Sequence, residues 1–260
     1  CTPILILDTL GLTHHTKMNR YTVAVLLVIV PILESAPIFE DIREAPFWDN
    51  PCGFSDLSMD NDQDDPYPRQ PIPWTDQLER SFRKIKHQIK TAKDHLIYKD
   101  FDKLYIDVRH GVEKKQYIPN WVPSKGNVEA LESVEILSTN EIARFLPVLR
   151  TDLQKFAVAF EQIYSDEYES YDSSLKRSAL ESLIGTLRML LCEVESALVS
   201  LDLSFDPPIT RNIMSANERN VPDYTHRMVR DNGVLLKYKD YLEEWYNLIR
   251  TKQLIKHLKK

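Results

Sequence analysis

Two of the seven histidines, three cysteines, an acidic run and several basic clusters are the side chains of this chain that invite a reading as chemistry. His87 and His95 fall eight positions apart on one helical pattern. A metal pair on a helix needs a four-residue step, so surface histidines are the better reading and no metal site follows. The run Asp60-Asn61-Asp62-Gln63-Asp64-Asp65 has the composition of a calcium loop. Such a loop requires Gly at its sixth position and Glu at its twelfth, where this chain has Asp65 and Pro71, so a solvated acidic linker is expected. No G-x-S-x-G, H-E-x-x-H, phosphate loop or G-x-G-x-x-G occurs. The expectation is a protein without enzymatic activity, cofactor or metal.

Composition narrows the class further. A hydrophobic fraction of 43% with 28% charged residues describes a foldable globular chain. The net charge of −6 argues against a general nucleic-acid binder, although local basic patches remain compatible with it. Met18-Asn19-Arg20 followed by the apolar run Tyr21–Leu33 has the layout of a secretory signal, with small residues at Ser35 and Ala36 as the exit. This divides the chain into an upstream stretch 1–17, a signal peptide 18–35, a Pro- and Asp-rich arm 36–73 and a helical body 74–260. The expected product is secreted and extracellular, without stable membrane insertion after cleavage.

Cys1 lies upstream of that signal, which leaves Cys52 and Cys192. Around its helix, Cys192 points roughly opposite the apolar stripe, on the face where a free thiol of a secreted protein is disfavoured. A Cys52–Cys192 disulfide pinning the arm across the third helix is therefore expected; the alternatives are unpaired cysteines or an intermolecular bridge. Lys114-Lys115 and Lys176-Arg177 have the composition of protease sites, and the second pair sits on a helical pattern that explains it more simply.

The elements that carry these residues are amphipathic stretches near Thr75–Leu104, Thr139–Tyr164, Ser173–Leu201 and Asp231–Leu258. In the first, Leu78, Phe82, Ile85, Ile89, Ala92 and Leu96 make a single stripe, with Thr75 as the expected N-cap and Asp76 in the first turn. The second has the stripe Ile142 to Ile163 and Pro147 inside it, so a kink or a short preceding helix is expected. The third is the most apolar and is expected at the centre. The fourth is read as starting at Asp231-Asn232-Gly233, with Leu235, Tyr238, Leu242, Trp245 and Ile249 inward.

The gaps run long, short, long: Tyr105–Leu137, Ser165–Asp172 and Asp202–Arg230. A helix of this length is about 40 Å long. The short gap reaches at most about 28 Å, so the second and third helices must be antiparallel. The long gaps can each return along a whole helix. An all-α, up-up-down-down four-helix bundle with two long crossover loops follows as the expected fold. The first gap holds Tyr117, Ile118, Trp121, Val122, Val128 and Leu131, which reads as a loop packed on the bundle with a short helix of its own.

A signal peptide, four helices of this length, two long crossovers and a packed first loop resemble the long-chain four-helix cytokines, the family of growth hormone, leptin and leukaemia inhibitory factor. The invertebrate unpaired ligands are similar in kind. The resemblance spans Trp74 to Lys260 and is topological. It implies a ligand, monomeric before binding, for a cytokine-type cell-surface receptor. It further implies contacts through Arg250, Lys252 and Lys256 at the end of the last helix together with Trp121, and separately through Arg83 and Lys90 on the first helix. The chain departs from many relatives in tying its disulfide to an N-terminal arm, and it has no N-x-S/T acceptor. A secreted helical carrier of lipid or another apolar ligand is the alternative that long amphipathic helices leave open.

Overall fold

Apolar residues spaced by threes and fours shape this chain into helices, and the computed structural model contains no strand among the residues it describes: 45–53, 72–98, 117–132, 139–168 and 174–251. In chain order the elements are α1 Trp74–Tyr98, α2 Lys125–Glu132, α3 Thr139–Ala143, α4 Phe145–Tyr168 and α5 Ser174–Ser200. A 3-10 turn Arg211–Ile213, the short α6 Ala216–Arg219 and α7 Tyr224–Thr251 complete the order. These residues belong to a compact unit that starts at Ala45. The signal segment 18–35, the acidic run 60–65, Lys114-Lys115, Lys252 and Lys256 lie outside the described residues. No described helix is long and apolar enough to cross a membrane.

Each expected stripe is buried: Leu78 to Leu96 on α1, Ile142 to Ile163 across α3 and α4, Leu180 to Leu201 on α5 and its end, and Leu235 to Ile249 on α7. At the centre Phe156 and Phe160 meet Tyr238 edge-on, with ring centroids 4.9 and 5.1 Å apart, and Phe156 lies 5.3 Å from Tyr241. Such aromatic pairs add directional contacts to the large area they remove from water.

Helix boundaries depart from expectation in two places, each for a local reason. Thr75 is not the N-cap of α1. The helix starts one residue earlier, with Pro73 O accepting from Asp76 and Gln77 N–H, and Trp74 is held there by its indole bond to Leu201 O at 3.2 Å. At Pro147 the expected short preceding helix is present as α3, and the proline sits in the first turn of α4, where its missing N–H would have had no partner. Asp231-Asn232-Gly233 is no helix start either. α7 begins at Tyr224, capped by Asp223 Oδ1 on His226 N–H at 2.8 Å, and runs straight through that triplet.

α1 packs on α5 and α7, and α4 packs on the same two helices. Between α1 and α5, Trp74 meets Leu201 and Lys84 meets Glu193. Between α1 and α7, Lys86 lies over the Tyr246 ring and Lys93 bonds Glu243 at 2.6 Å. Between α4 and α5, Arg150 bonds Glu195 and Tyr164 bonds Glu181, both at 2.8 Å. Between α4 and α7, Tyr241 donates to Asp152 and Arg230 to Asp166.

The most enclosed helix is α4 rather than the third stretch, which leaves Met189 50% and Val199 71% exposed. Two irregular segments cover the outer face of α4. The first follows α5, which closes with Asp202 in the left-handed region (φ 52) and Leu203 N–H bonded to Leu198 O. From there the chain follows α4. Arg150 donates to Asp206 O, the Gln154 amide oxygen accepts from Ile209 N–H, Glu161 takes both ends of the Arg211 guanidinium at 2.7 Å, and Gln162 meets Arg219.

The second segment is the arm, 45–53. Trp48 is fully buried: its indole donates to Ile209 O at 2.7 Å and its carbonyl accepts from the Gln154 amide at 3.2 Å. Gln154 thus ties arm and loop together from inside. A disulfide joins Cys52 to Cys192 of α5, and Arg188 donates to Pro51 O beside it. Gly53 closes the turn at φ +69, a conformation that favours glycine.

Candidate functional site

The surface that concentrates binding-type side chains is formed where the end of the first long gap meets the opening turns of α7. Lys237 fixes the loop by donating to Pro119 O at 3.1 Å and Val122 O at 3.2 Å. Ile118 presses on the helix at Gly233, where a Cβ would come within 2.4 Å of its Cγ1 and Cδ1, so the glycine answers to close approach. Val122 and Val128 are buried, and α2 packs along α7.

With the loop anchored from below, Tyr117 faces outward beside the first turn of α7. Tyr117 is 53% exposed, adopts φ 60 and stacks on His226 with centroids 3.9 Å apart. A tyrosine held in the left-handed region costs of order 1–3 kcal/mol, which the stack and the packed loop must offset. Tyr224 is equally exposed, with the Arg227 guanidinium 5.9 Å from its ring centroid. Tyrosine and arginine of this kind are the residue types that dominate interface hot spots. The sequence singled out Trp121 and passed over Tyr117, Tyr224, His226 and Arg227. The available signal was the aromatic density at Tyr117 and Tyr224, obscured because Asp231-Asn232-Gly233 has the composition of a helix start while α7 begins seven residues before it.

Trp121 is half-buried against the core, and its indole donates to Glu218 Oε1 at 3.1 Å. It supports the loop from within. Glu218 also closes the capping box of α6 with Ser215, so the tryptophan links the two long connections. Arg250 is exposed near the far end of α7. Lys237 marks the level of the loop, and thirteen residues of helix separate it from Arg250, about 20 Å of rise. Trp121 and Arg250 therefore do not share one patch.

Arg83 and Lys90 lie on the outward face of α1, each beside a carboxylate one turn away: Glu79 for Arg83, and Asp94 at 2.7 Å for Lys90. Such exposed pairs contribute little net stability. Lys86 and Lys93 turn aside to the Tyr246 ring, at 5.2 and 4.7 Å. Lys176 is drawn to Glu167 and to the Met228 sulfur, which holds the Lys176-Arg177 pair within α5. Among the described residues no group of three or more His, Cys, Asp or Glu could hold a metal ion.

Beneath the surface, Arg230 lies between Asp166 and Asp231 and donates to Glu218 O at 2.8 Å. Burial pushes the Asp231 carboxyl up to about 7, opposed by the adjacent guanidinium. Glu195 and Asp49, near Arg150 and the arm, are also raised by burial. At the other end of the helices a cleft of about 380 Å³ is lined by Trp74, Ala143, Arg144, Pro147 and Leu203. Comparisons with protein-family models, curated proteins and solved structures find no match, so no residue role is transferred from a relative.

Proposed function

We propose that this chain is a secreted cytokine-like ligand for a single-pass cell-surface receptor, built as an up-up-down-down four-helix bundle. The observation that carries the proposal is the order of the inter-helix contacts. Along α1, Trp74 and then Lys84 pair with Leu201 and then Glu193, descending α5. Lys86 and Lys93 likewise meet Tyr246 and then Glu243, descending α7. Along α4, Arg150 and Tyr164 meet Glu195 and Glu181, while Asp152 and Asp166 meet Tyr241 and Arg230. Helices α1 and α4 thus each oppose both α5 and α7, which supports a parallel α1–α4 pair and a parallel α5–α7 pair. The loop 203–219 following α4 supports a long second crossover. The disulfide supports an oxidising compartment.

Receptor contact is assigned to the aromatic face of Tyr117, Tyr224, His226 and Arg227, with Trp121 as its internal support. Labelled protein should bind responsive cells, and Tyr117→Ala with Tyr224→Ala should weaken that binding about thirtyfold or more, the loss expected of paired hot spots. The unfolding midpoint should stay nearly unchanged, because both rings are half-exposed. Undiminished binding by a folded double variant would remove this face from the proposal.

A further inference from the structure

We infer that the outward face of α1 is a binding strip for a sulfated polysaccharide. Six cations against three carboxylates give α1 a formal charge of +3 in a chain whose total is −6. Lys86 and Lys93 are committed to Tyr246. Arg80, Arg83, Lys84, His87 and Lys90 remain exposed at steps of one, three and four residues, the spacing of a single helical face. From Arg80 to Lys90 the strip is about 15 Å long.

The carboxylates nearest these cations do not quench the strip. These are Glu79, Asp94 and Glu193. Their partners Arg83, Lys90 and Lys84 are 57%, 57% and 69% exposed while the carboxylates themselves are 14%, 36% and 21% exposed, so each cation keeps an open side on which a second anion can bind beside the carboxylate. Among the described side chains of α1 no large apolar residue is exposed. Protein interfaces need such anchors at their centre, whereas a polyanion is held chiefly by charge and counterion release. Single-stranded nucleic acid is usually held by stacked aromatics as well, and α5 and α7 flank α1 too closely for it to enter a duplex groove as a projecting helix. A flexible polymer carrying sulfates along its length matches a helical face on which cations outnumber carboxylates. This inference rests on the extracellular setting proposed above, and its chemistry is independent of the receptor.

The test uses the full, disulfide-intact secreted protein on immobilised heparin, with a salt gradient and affinities measured at several salt concentrations. A variant with Arg80→Gln, Arg83→Gln, Lys84→Gln and Lys90→Gln is compared with a control carrying Arg250→Gln, Lys252→Gln and Lys256→Gln. Circular dichroism checks that both retain the helical fold. The expected result is earlier elution of the α1 variant, with the slope of log affinity on log salt reduced by about 3, and near-normal retention of the control. Unchanged elution of the α1 variant, or loss of retention only in the control, would overturn the assignment. Equal retention of the wild type on DNA-cellulose would overturn the sulfated polysaccharide in favour of any polyanion. Receptor capture from heparinase-treated cells reads the receptor separately, so either idea can fail alone.

Discussion

Asp231 shows how one buried residue can mislead a reading by type. Asp, Asn and Gly in succession favour a helix cap or turn, yet here Asp231 and Asn232 are buried in mid-helix. Arg230 supplies one positive charge to two carboxylates, Asp166 and Asp231, with Glu167 also nearby on α4. Burial is the main reason that Asp231 rises from 3.8 to about 7; Arg230 opposes the rise, and the Asp166 and Glu167 charges add to it. A folded-state value above the unfolded one means stability fully present below about pH 4 and lost as pH rises through about 7. Asp231→Asn, which mimics the protonated form, should therefore gain on the wild type as pH rises from 4 to 7, by at most about 1.4 kcal/mol per pH unit. The gain should level off above pH 7. Urea unfolding at several pH values reads this difference; a gap that is constant with pH, or that closes as pH rises, would mean that Asp231 is an ionised partner of Arg230.

Elements were legible where a stripe repeats and illegible where a distant segment decides. Every inward residue named for the helices is buried, because periodicity reports directly on a one-sided apolar face. Gly233 is different: its meaning comes from Ile118, more than a hundred residues earlier. Alanine would improve helix propensity by about 1 kcal/mol, yet overpacking against a β-branched side chain costs about 1–3 kcal/mol. Gly233→Ala should thus destabilise by about 1 kcal/mol, and in an Ile118→Ala background the same change should stabilise. Denaturant midpoints of the four proteins form a cycle, and a stabilising Gly233→Ala in the wild type would refute the close-approach account. The arm carries a comparable lesson. Its proline and aspartate content reads as linker, whereas Trp48 is core and the Cys52–Cys192 bridge joins it to α5, as the cysteine placement suggested. Trp48→Ala should cost about 3–5 kcal/mol, and replacing both cysteines by serine about 2–4 kcal/mol, by chemical denaturation. Losses under about 1 kcal/mol from each would make the arm an accessory.

For the whole molecule, gap lengths carried more information than any motif. Reach alone demanded that the second and third long stretches oppose each other, and the contacts of Arg150 with Glu195 and Tyr164 with Glu181 run in that sense. The proposed binding surface was only partly legible. Trp121 lies in the same loop but is half-buried, whereas the outward residues are Tyr117 and Tyr224, and Arg250 stands about 20 Å along α7 from the loop. Side-chain type nominates a residue for an interface; only the packing beneath it decides which ring faces water. The most direct measurement is cross-linking of the intact, disulfide-bonded protein to live cells, with identification of what it captures and comparison with the Tyr117→Ala, Tyr224→Ala variant. The expected result is a single-pass membrane protein captured by the wild type and lost with the variant. Capture of no membrane protein, with an apolar molecule co-purifying instead, would contradict the ligand assignment and point to a carrier.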